Sequence, residues 1–255
     1  MEKDTITELF IRLAKERDKS ESFDKRKCED QFVGLLKIER RNARFCQWLK
    51  CSLSKEEIKN RTKIHNELSA EKDIPIILIV LESPHKDEFE TVKYNIDKPM
   101  PAMATTGDKL CELLPKYINR INSTFEDEYI SKGMGYMDMP SGIYRVLLVN
   151  SIQYQCSLGE GTKKYRNEIF NAMWMDETVR ENFAKRISLN NIKVVINSST
   201  SGKNGNKFKA GEETIRKKVQ NAIDLVVNDD VIIYHSLHPS CWQDCLGIEP
   251  NGWDG

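Results

Sequence analysis

The sequence predicts an α/β protein: a three-layer α/β/α sandwich around a four-stranded parallel sheet, preceded by a helical N-terminal extension. Three observations carry this expectation. Four apolar, β-branched runs, Ile74–Leu81, Tyr144–Val149, Ile192–Ile196 and Val231–Tyr234, have the unbroken hydrophobicity of strands buried on both faces. Stretches with helical patterning separate them, notably 107–121, 167–187 and 212–227, and such alternation implies right-handed crossovers. The length, 255 residues, suffices for one large domain with an elaboration.

Residues 1–72 are charge-rich. Ile6, Leu9, Phe10 and Leu13 recur at i, i+3, i+4 and i+7, one face of an amphipathic helix. A second helix is expected over Asp30–Leu49, with Phe32, Leu35, Leu36, Phe45 and Trp48 as its apolar side. A third starts at Ser54, with Glu57 three residues on completing a capping box. We read 1–72 as the helical extension and 73–255 as the main domain.

Lys plus Arg and Asp plus Glu both number 39, so the net charge is zero. Basic stretches at 37–44 and 203–209 are hidden in that total, which neither supports nor excludes DNA as a partner. No run approaches the ~18 apolar residues of a membrane span, and the N-terminus lacks a signal-peptide core. Seven Cys is an odd number without scaffold spacing, which suits reduced thiols in the cytoplasm. Cys46-x4-Cys51 and Cys241-x3-Cys245 lack C-x-x-C spacing and a completing His, so neither a metal nor another cofactor is expected. A monomer without membrane attachment is the simplest expectation.

Parallel sheets bind ligands outside the carboxyl ends of their strands. The segments following the four runs are Glu82-Ser83-Pro84-His85, Asn150-Ser151-Ile152-Gln153-Tyr154, Asn197-Ser198-Ser199-Thr200 and His235-Ser236-Leu237-His238-Pro239-Ser240. All four are polar, and the first and last hold a carboxylate and imidazoles. A site at this edge of the sheet is expected.

These segments resemble, in order and placement, the motifs of the uracil-DNA glycosylase superfamily. Glu82-Ser83-Pro84-His85 stands where the first motif follows the first core strand, and His238-Pro239-Ser240 where a His-Pro-Ser motif follows the last. Ala104-Thr105-Thr106-Gly107-Asp108-Lys109-Leu110 is similar to the segment opening the next helix, and Val146–Asn150 to the strand whose terminal Asn reads an extruded base. The resemblance covers roughly residues 74–242. Departures accompany it: Leu81 replaces a leading Gly, Ser83 occupies the position of a catalytic Asp, and His85 that of a Tyr or Gly. Glu82 matches the acidic residue of members that carry an iron–sulfur cluster, whose Cys spacing is absent here.

The resemblance implies a monofunctional DNA glycosylase that extrudes a base from DNA. Breaking an N-glycosidic bond builds cationic character on the sugar and negative charge on the departing base. Glu82 is the candidate for stabilising the cation and positioning or activating water; His238 for donating to the base carbonyl. Asn150 would pair with the base edge. Ser83, Pro84, His85 and Tyr154 would complete the pocket, Tyr154 by stacking. Ser240 and Trp242 belong to the loop that enters the minor groove, with Trp242 as a wedge. Ser198, Ser199, Lys203 and Lys207 are candidate phosphate contacts. Each has an ordinary alternative: a loop Glu, a satisfied structural His, a strand-capping Asn, core aromatics, a solvated loop.

Some branches of the superfamily excise bulky modified cytosines, such as glucosylated hydroxymethylcytosine, from phage DNA as antiviral defence, and the altered first motif is compatible with such a substrate. A uracil-excising repair enzyme, a catalytically silent nucleic-acid-binding module on the same fold, and a hydrolase with a Ser83 or Cys241 nucleophile and His238 as base stay open beside it. The last lacks the Gly-x-Ser-x-Gly elbow.

Overall fold

The strand Ile76–Leu81, here β3, is buried along its whole length and forms the spine of a mixed α/β structure. The computed structural model describes residues 4–19, 22–23, 25–39, 42–48, 55–89, 99–103, 105–132, 139–158, 165–201, 213–242 and 249–250. In chain order the elements are α1 (Thr5–Arg17), β1 (Gln31–Glu39), β2 (Asn42–Trp48), α2 (Lys55–Ala70), β3, α3 (Thr105–Lys132) and β4 (Gly142–Asn150). Then follow α4 (Arg166–Trp174), α5 (Glu177–Ile187), β5 (Ile192–Asn197), α6 (Ile215–Asp224), β6 (Ile232–His235) and the two-residue β7 (Glu249–Pro250).

The strand order is β2-β1-β4-β3-β5-β6-β7. β4, β3, β5 and β6 run parallel to one another. β1 and β2 continue the sheet antiparallel beyond β4, and β7 pairs antiparallel with β6. The sheet is therefore mixed, larger than the purely parallel four-stranded sheet expected. In register, Ile79 of β3 lies between Leu148 of β4 and Ile196 of β5, an interior that only β-branched and aliphatic side chains fill well.

The expected helix over Asp30–Leu49 is instead the β1–β2 hairpin. Phe32, Leu35 and Leu36 fit a helical spacing, but Leu36-Lys37-Ile38-Glu39 alternates inward and outward with period two. Gly34 in the middle weakens a helix. The hairpin also satisfies backbone groups of β4, from Gln31↔Leu148 to Ile38↔Gly142, that a helix would leave unpaired. The N-terminal segment is thus not all helical, and part of it belongs to the same sheet as the rest. Arg145 of β4 reinforces the union. Its guanidinium donates to Leu68 O (2.7 Å) and Ile74 O (3.0 Å) and lies 4.8 Å over the Phe32 ring.

The other helices follow expectation with adjusted ends. α1 buries Ile6, Phe10 and Leu13 and is capped by Asp4, whose carboxylate accepts Ile6 N–H. α2 begins at Lys55; Ser54 lies outside the described residues. The single stretch expected over 167–187 is two helices, because Asp176 caps α5 by accepting Thr178 N–H at 2.9 Å. Thr214 caps α6 the same way, accepting Lys217 N–H at 3.0 Å. The helices fall into two contact groups: α2 packs on β1 and α3 on β2, whereas α1, α4, α5 and α6 pack in succession on one another. No described helix is long and apolar enough to cross a membrane.

Candidate active site

The carboxyl ends of β3 and β6 open into one cleft of about 340 Å³. β3 and its following loop supply Glu82, Ser83, Pro84 and His85; the loop after β6 supplies His238, Ser240 and Cys241. Thr200 enters from beyond β5, Arg166 from the start of α4, and Met103 and Thr106 from the start of α3. This volume lies within the ~300–1,000 Å³ of sites that enclose drug-sized ligands, more room than a bare pyrimidine ring needs.

Glu82 is held in place through its backbone first. Its carbonyl accepts Ile152 N–H (3.0 Å) and the Ser151 hydroxyl (2.7 Å). The residue is only 5% exposed. One carboxylate oxygen lies 3.3 Å from Arg166 Nε, and the other accepts the Thr200 hydroxyl proton. Burial raises the Glu82 carboxyl above the ordinary carboxylate range, with the Arg166 cation and the Thr200 hydrogen bonds opposing it. Arg166 is aimed by an unusual helix start, since Tyr165 at the N-cap has φ 56°. A non-glycine residue in the left-handed region is uncommon and costs energy that the surrounding structure must supply.

His238 precedes the 3-10 turn Pro239–Cys241 and accepts the Ser240 N–H at Nδ1 (3.3 Å). The Ser240 hydroxyl lies 2.8 Å from the same nitrogen. An amide can only donate, so Nδ1 is bare and the proton sits on Nε2. Burial, the Arg166 cation and His85 push the imidazole down to about 4. At neutral pH His238 is therefore a neutral ring with one N–H to offer. His85 is one-third exposed, with Nδ1 3.2 Å from Asp87 Oδ2. Its 3-10 turn Lys86–Phe89 is anchored by Glu88, whose carboxyl accepts Ala102 N–H (2.9 Å) and is pushed by burial up to about 8.

Several expected site residues lie elsewhere. Tyr154 is core: its hydroxyl bonds Thr7 Oγ1 (2.6 Å) and its ring packs 5.0 Å from Phe10. It lines a separate recess, of only about 10 Å³. Ser198 and Ser199 are fully buried and cannot contact phosphate; their hydroxyls bond Ser236 Oγ (2.7 Å) and Asn197 Oδ1 (2.5 Å). Trp242 is 2% exposed, donates from Nε1 to Leu237 O (2.8 Å) and meets Tyr117 edge-on at 4.6 Å. An indole so held is an anchor, not a wedge. Asn150 is buried at the end of β4 and does not line the cleft, and its amide has no hydrogen-bond partner among the described residues. Lys203 and Lys207 lie outside the described residues, as do Cys51 and Cys245. Cys46 and Cys241 are exposed free thiols.

Arg166 was not legible as a site residue, since no motif surrounds it and it is the first residue of a helix with no site signature in its sequence. Thr200 had a signal, its place at the end of β5, as did Asp87 two residues beyond His85. The cleft thus sets a buried, cation-paired carboxylate and two imidazoles around one volume, a donor set suited to moving protons and steadying opposite charges. The chain matches no protein-family model, and no curated protein and no solved structure matches it.

Proposed function

We propose that this protein is a DNA glycosylase of the uracil-DNA glycosylase type, hydrolysing the N-glycosidic bond of a modified pyrimidine to leave an abasic site. One observation carries the reading: Glu82 and a neutral, Nε2-protonated His238 line the same cleft at the carboxyl edge of the parallel strands. The carboxylate would stabilise positive charge developing on the sugar, and the His238 N–H would take up negative charge on the departing base. Arg166 favours the ionised form of Glu82 against the cost of burial. The volume leaves room for a base carrying a bulky 5-substituent; glucosylated hydroxymethylcytosine of phage DNA is the candidate, and antiviral defence the corresponding role.

A silent nucleic-acid-binding module is the second reading, supported by the engagement of both Glu82 oxygens. A Ser83 nucleophile is disfavoured because no Gly-x-Ser-x-Gly elbow surrounds it.

The test is excision. Single-stranded and duplex DNA containing uracil, hydroxymethylcytosine or glucosylated hydroxymethylcytosine is incubated with the protein and then treated with alkali. Strand breaks at the modified base, absent with Glu82→Gln, are expected. Binding without breaks on any of the six DNAs would favour the silent module.

A further inference from the structure

We propose that Arg166 grips a phosphate of the DNA strand beside the extruded nucleotide with the two terminal nitrogens of its guanidinium, an assignment that rests on the glycosylase reading above. Holding a strand takes cations against its phosphates. Ser198 and Ser199, expected as phosphate contacts, are buried and bonded inward. Among the described residues that line the cleft, Arg166 is the one Lys or Arg.

Most of its donors are unspent. Nε donates to Asn167 Oδ1 (3.2 Å) and lies 3.3 Å from Glu82 Oε1. Nη1 and Nη2 have no hydrogen-bond partner among the described residues, although the side chain is nine-tenths buried. Four N–H donors kept so far from water are costly unless an acceptor meets them. The carboxylates of the cleft are occupied elsewhere. Glu82 faces Nε with one oxygen and accepts the Thr200 hydroxyl with the other, and Asp87 Oδ2 lies 3.2 Å from His85 Nδ1. The imidazoles add donors. His85 accepts the Asp87 N–H at Nδ1 as His238 accepts the Ser240 N–H, so both rings carry the proton on Nε2. The unspent capacity of the cleft is thus rich in donors around one cation, the complement of an oxyanion.

Phosphate is the oxyanion that fits. A guanidinium presents paired N–H groups that match two phosphate oxygens, which a lysine does not. A nucleotide swung out of the stack carries its flanking phosphates with it. A sugar set against Glu82 therefore stands next to the guanidinium, whose Nε is 3.3 Å from that carboxylate. Arg166 serves two anions at once: Nε faces the carboxylate and the fork holds the strand, so the grip on the phosphate fixes where the sugar lies over Glu82. The left-handed turn at Tyr165 and the first turn of α4 hold the side chain in that place.

A double-mutant cycle on the full chain tests this by binding, without excision. The probe is duplex DNA with one tetrahydrofuran abasic-site analogue, in which each flanking phosphate is replaced in turn by a neutral methylphosphonate. Fluorescence anisotropy reads the affinity of the wild type and of Arg166→Gln. At one of these phosphates the replacement is expected to weaken wild-type binding about tenfold and Arg166→Gln binding less than about twofold. The slope of log affinity against log salt should become shallower by about 0.9 in Arg166→Gln, the share of one phosphate. The same cycle in a Glu82→Gln background leaves no buried carboxylate without its cation, and it decides the matter should Arg166→Gln alone not fold. Losses that add at every phosphate, or no binding at all, overturn the assignment and leave Arg166 a counter-ion of Glu82. Additive losses together with Arg166-dependent binding of thymidine 5′-monophosphate overturn the DNA source in favour of a free nucleotide. Coupling in a protein that leaves no abasic site on any of the DNAs overturns the glycosylase reading and keeps the phosphate contact.

Discussion

Two pairs of loops leave the carboxyl edge of the sheet, all four polar in sequence, and they behave oppositely. Those after β3 and β6 turn Glu82, His85, His238 and Ser240 toward an open cleft. Those after β4 and β5 turn Tyr154, Ser198 and Ser199 inward, where each finds a protein partner, and of these two segments Ser157 and Thr200 alone reach the cleft. The lesson lies in where hydrogen-bonding capacity is spent. Ser198 and Ser236 bond each other across the ends of β5 and β6 and so fasten the floor on which the cleft stands. Across the cleft mouth, His238 keeps Nε2 free of any described partner. Polar residues at strand ends are equally expected in either role, and sequence alone does not separate the inward from the outward pair.

The comparison predicts that cleft substitutions cost activity and inward ones cost stability. Glu82→Gln gives the largest effect, a fall in single-turnover excision of about 10³-fold, roughly 4 kcal/mol of transition-state stabilisation. Unfolding by denaturant should show the protein still folded, since the amide keeps the shape of the buried carboxyl. Trp242→Ala is next and of the other kind: about 3–5 kcal/mol of stability, read from the same unfolding curves. A wedge would instead lose DNA affinity at unchanged stability, an outcome that would move Trp242 to the cleft side of the comparison.

Ser198→Ala follows, at about 1 kcal/mol, because the Ser236 hydroxyl still donates to Leu237 O (2.8 Å) and loses only an accepted bond. A loss of excision without loss of stability in that variant would break the distinction between the two loop pairs. The smallest effect is a displacement in pH. On the proposed glycosylase reading, in which the ionised carboxylate acts, the raised Glu82 carboxyl predicts that excision falls on the acid side at a pH above the ordinary carboxylate range. Arg166→Met removes the cation that opposes that rise, and the acid limb should move to still higher pH in the rate profile. His238 contributes separately to stability. Its ring is neutral in the folded chain, so the contribution is whole above the ordinary imidazole value of 6.5 and is lost as pH falls toward about 4.

The central strands were legible because nothing but burial on both faces explains a run such as Ile76-Ile77-Leu78-Ile79-Val80-Leu81. The placing of Glu82 and His238 followed from them. The β1–β2 hairpin was not legible: its apolar residues satisfy helical spacing by coincidence, and Arg40-Arg41 between the strands carries none of the Gly or Asn that signal a tight turn. What decides in favour of strand is the edge of β4, a tertiary circumstance a local window does not contain. Arg166 was hidden for a related reason. Its role depends on being brought beside Glu82 by the left-handed turn at Tyr165, and 84 residues separate the pair (166 − 82).

The antiparallel seam between β1 and β4 has a consequence for the chain during its own synthesis. Gly34 pairs with Val146, 112 residues later (146 − 34). At about 5–20 residues per second, the ribosome delivers β4 roughly 6–20 s after β1. Over that interval the hairpin has only itself to pair with, and one flank of β1 waits as an open template. The charges at Lys37, Glu39 and Arg44 along the hairpin would discourage another nascent chain from docking there before β4 arrives.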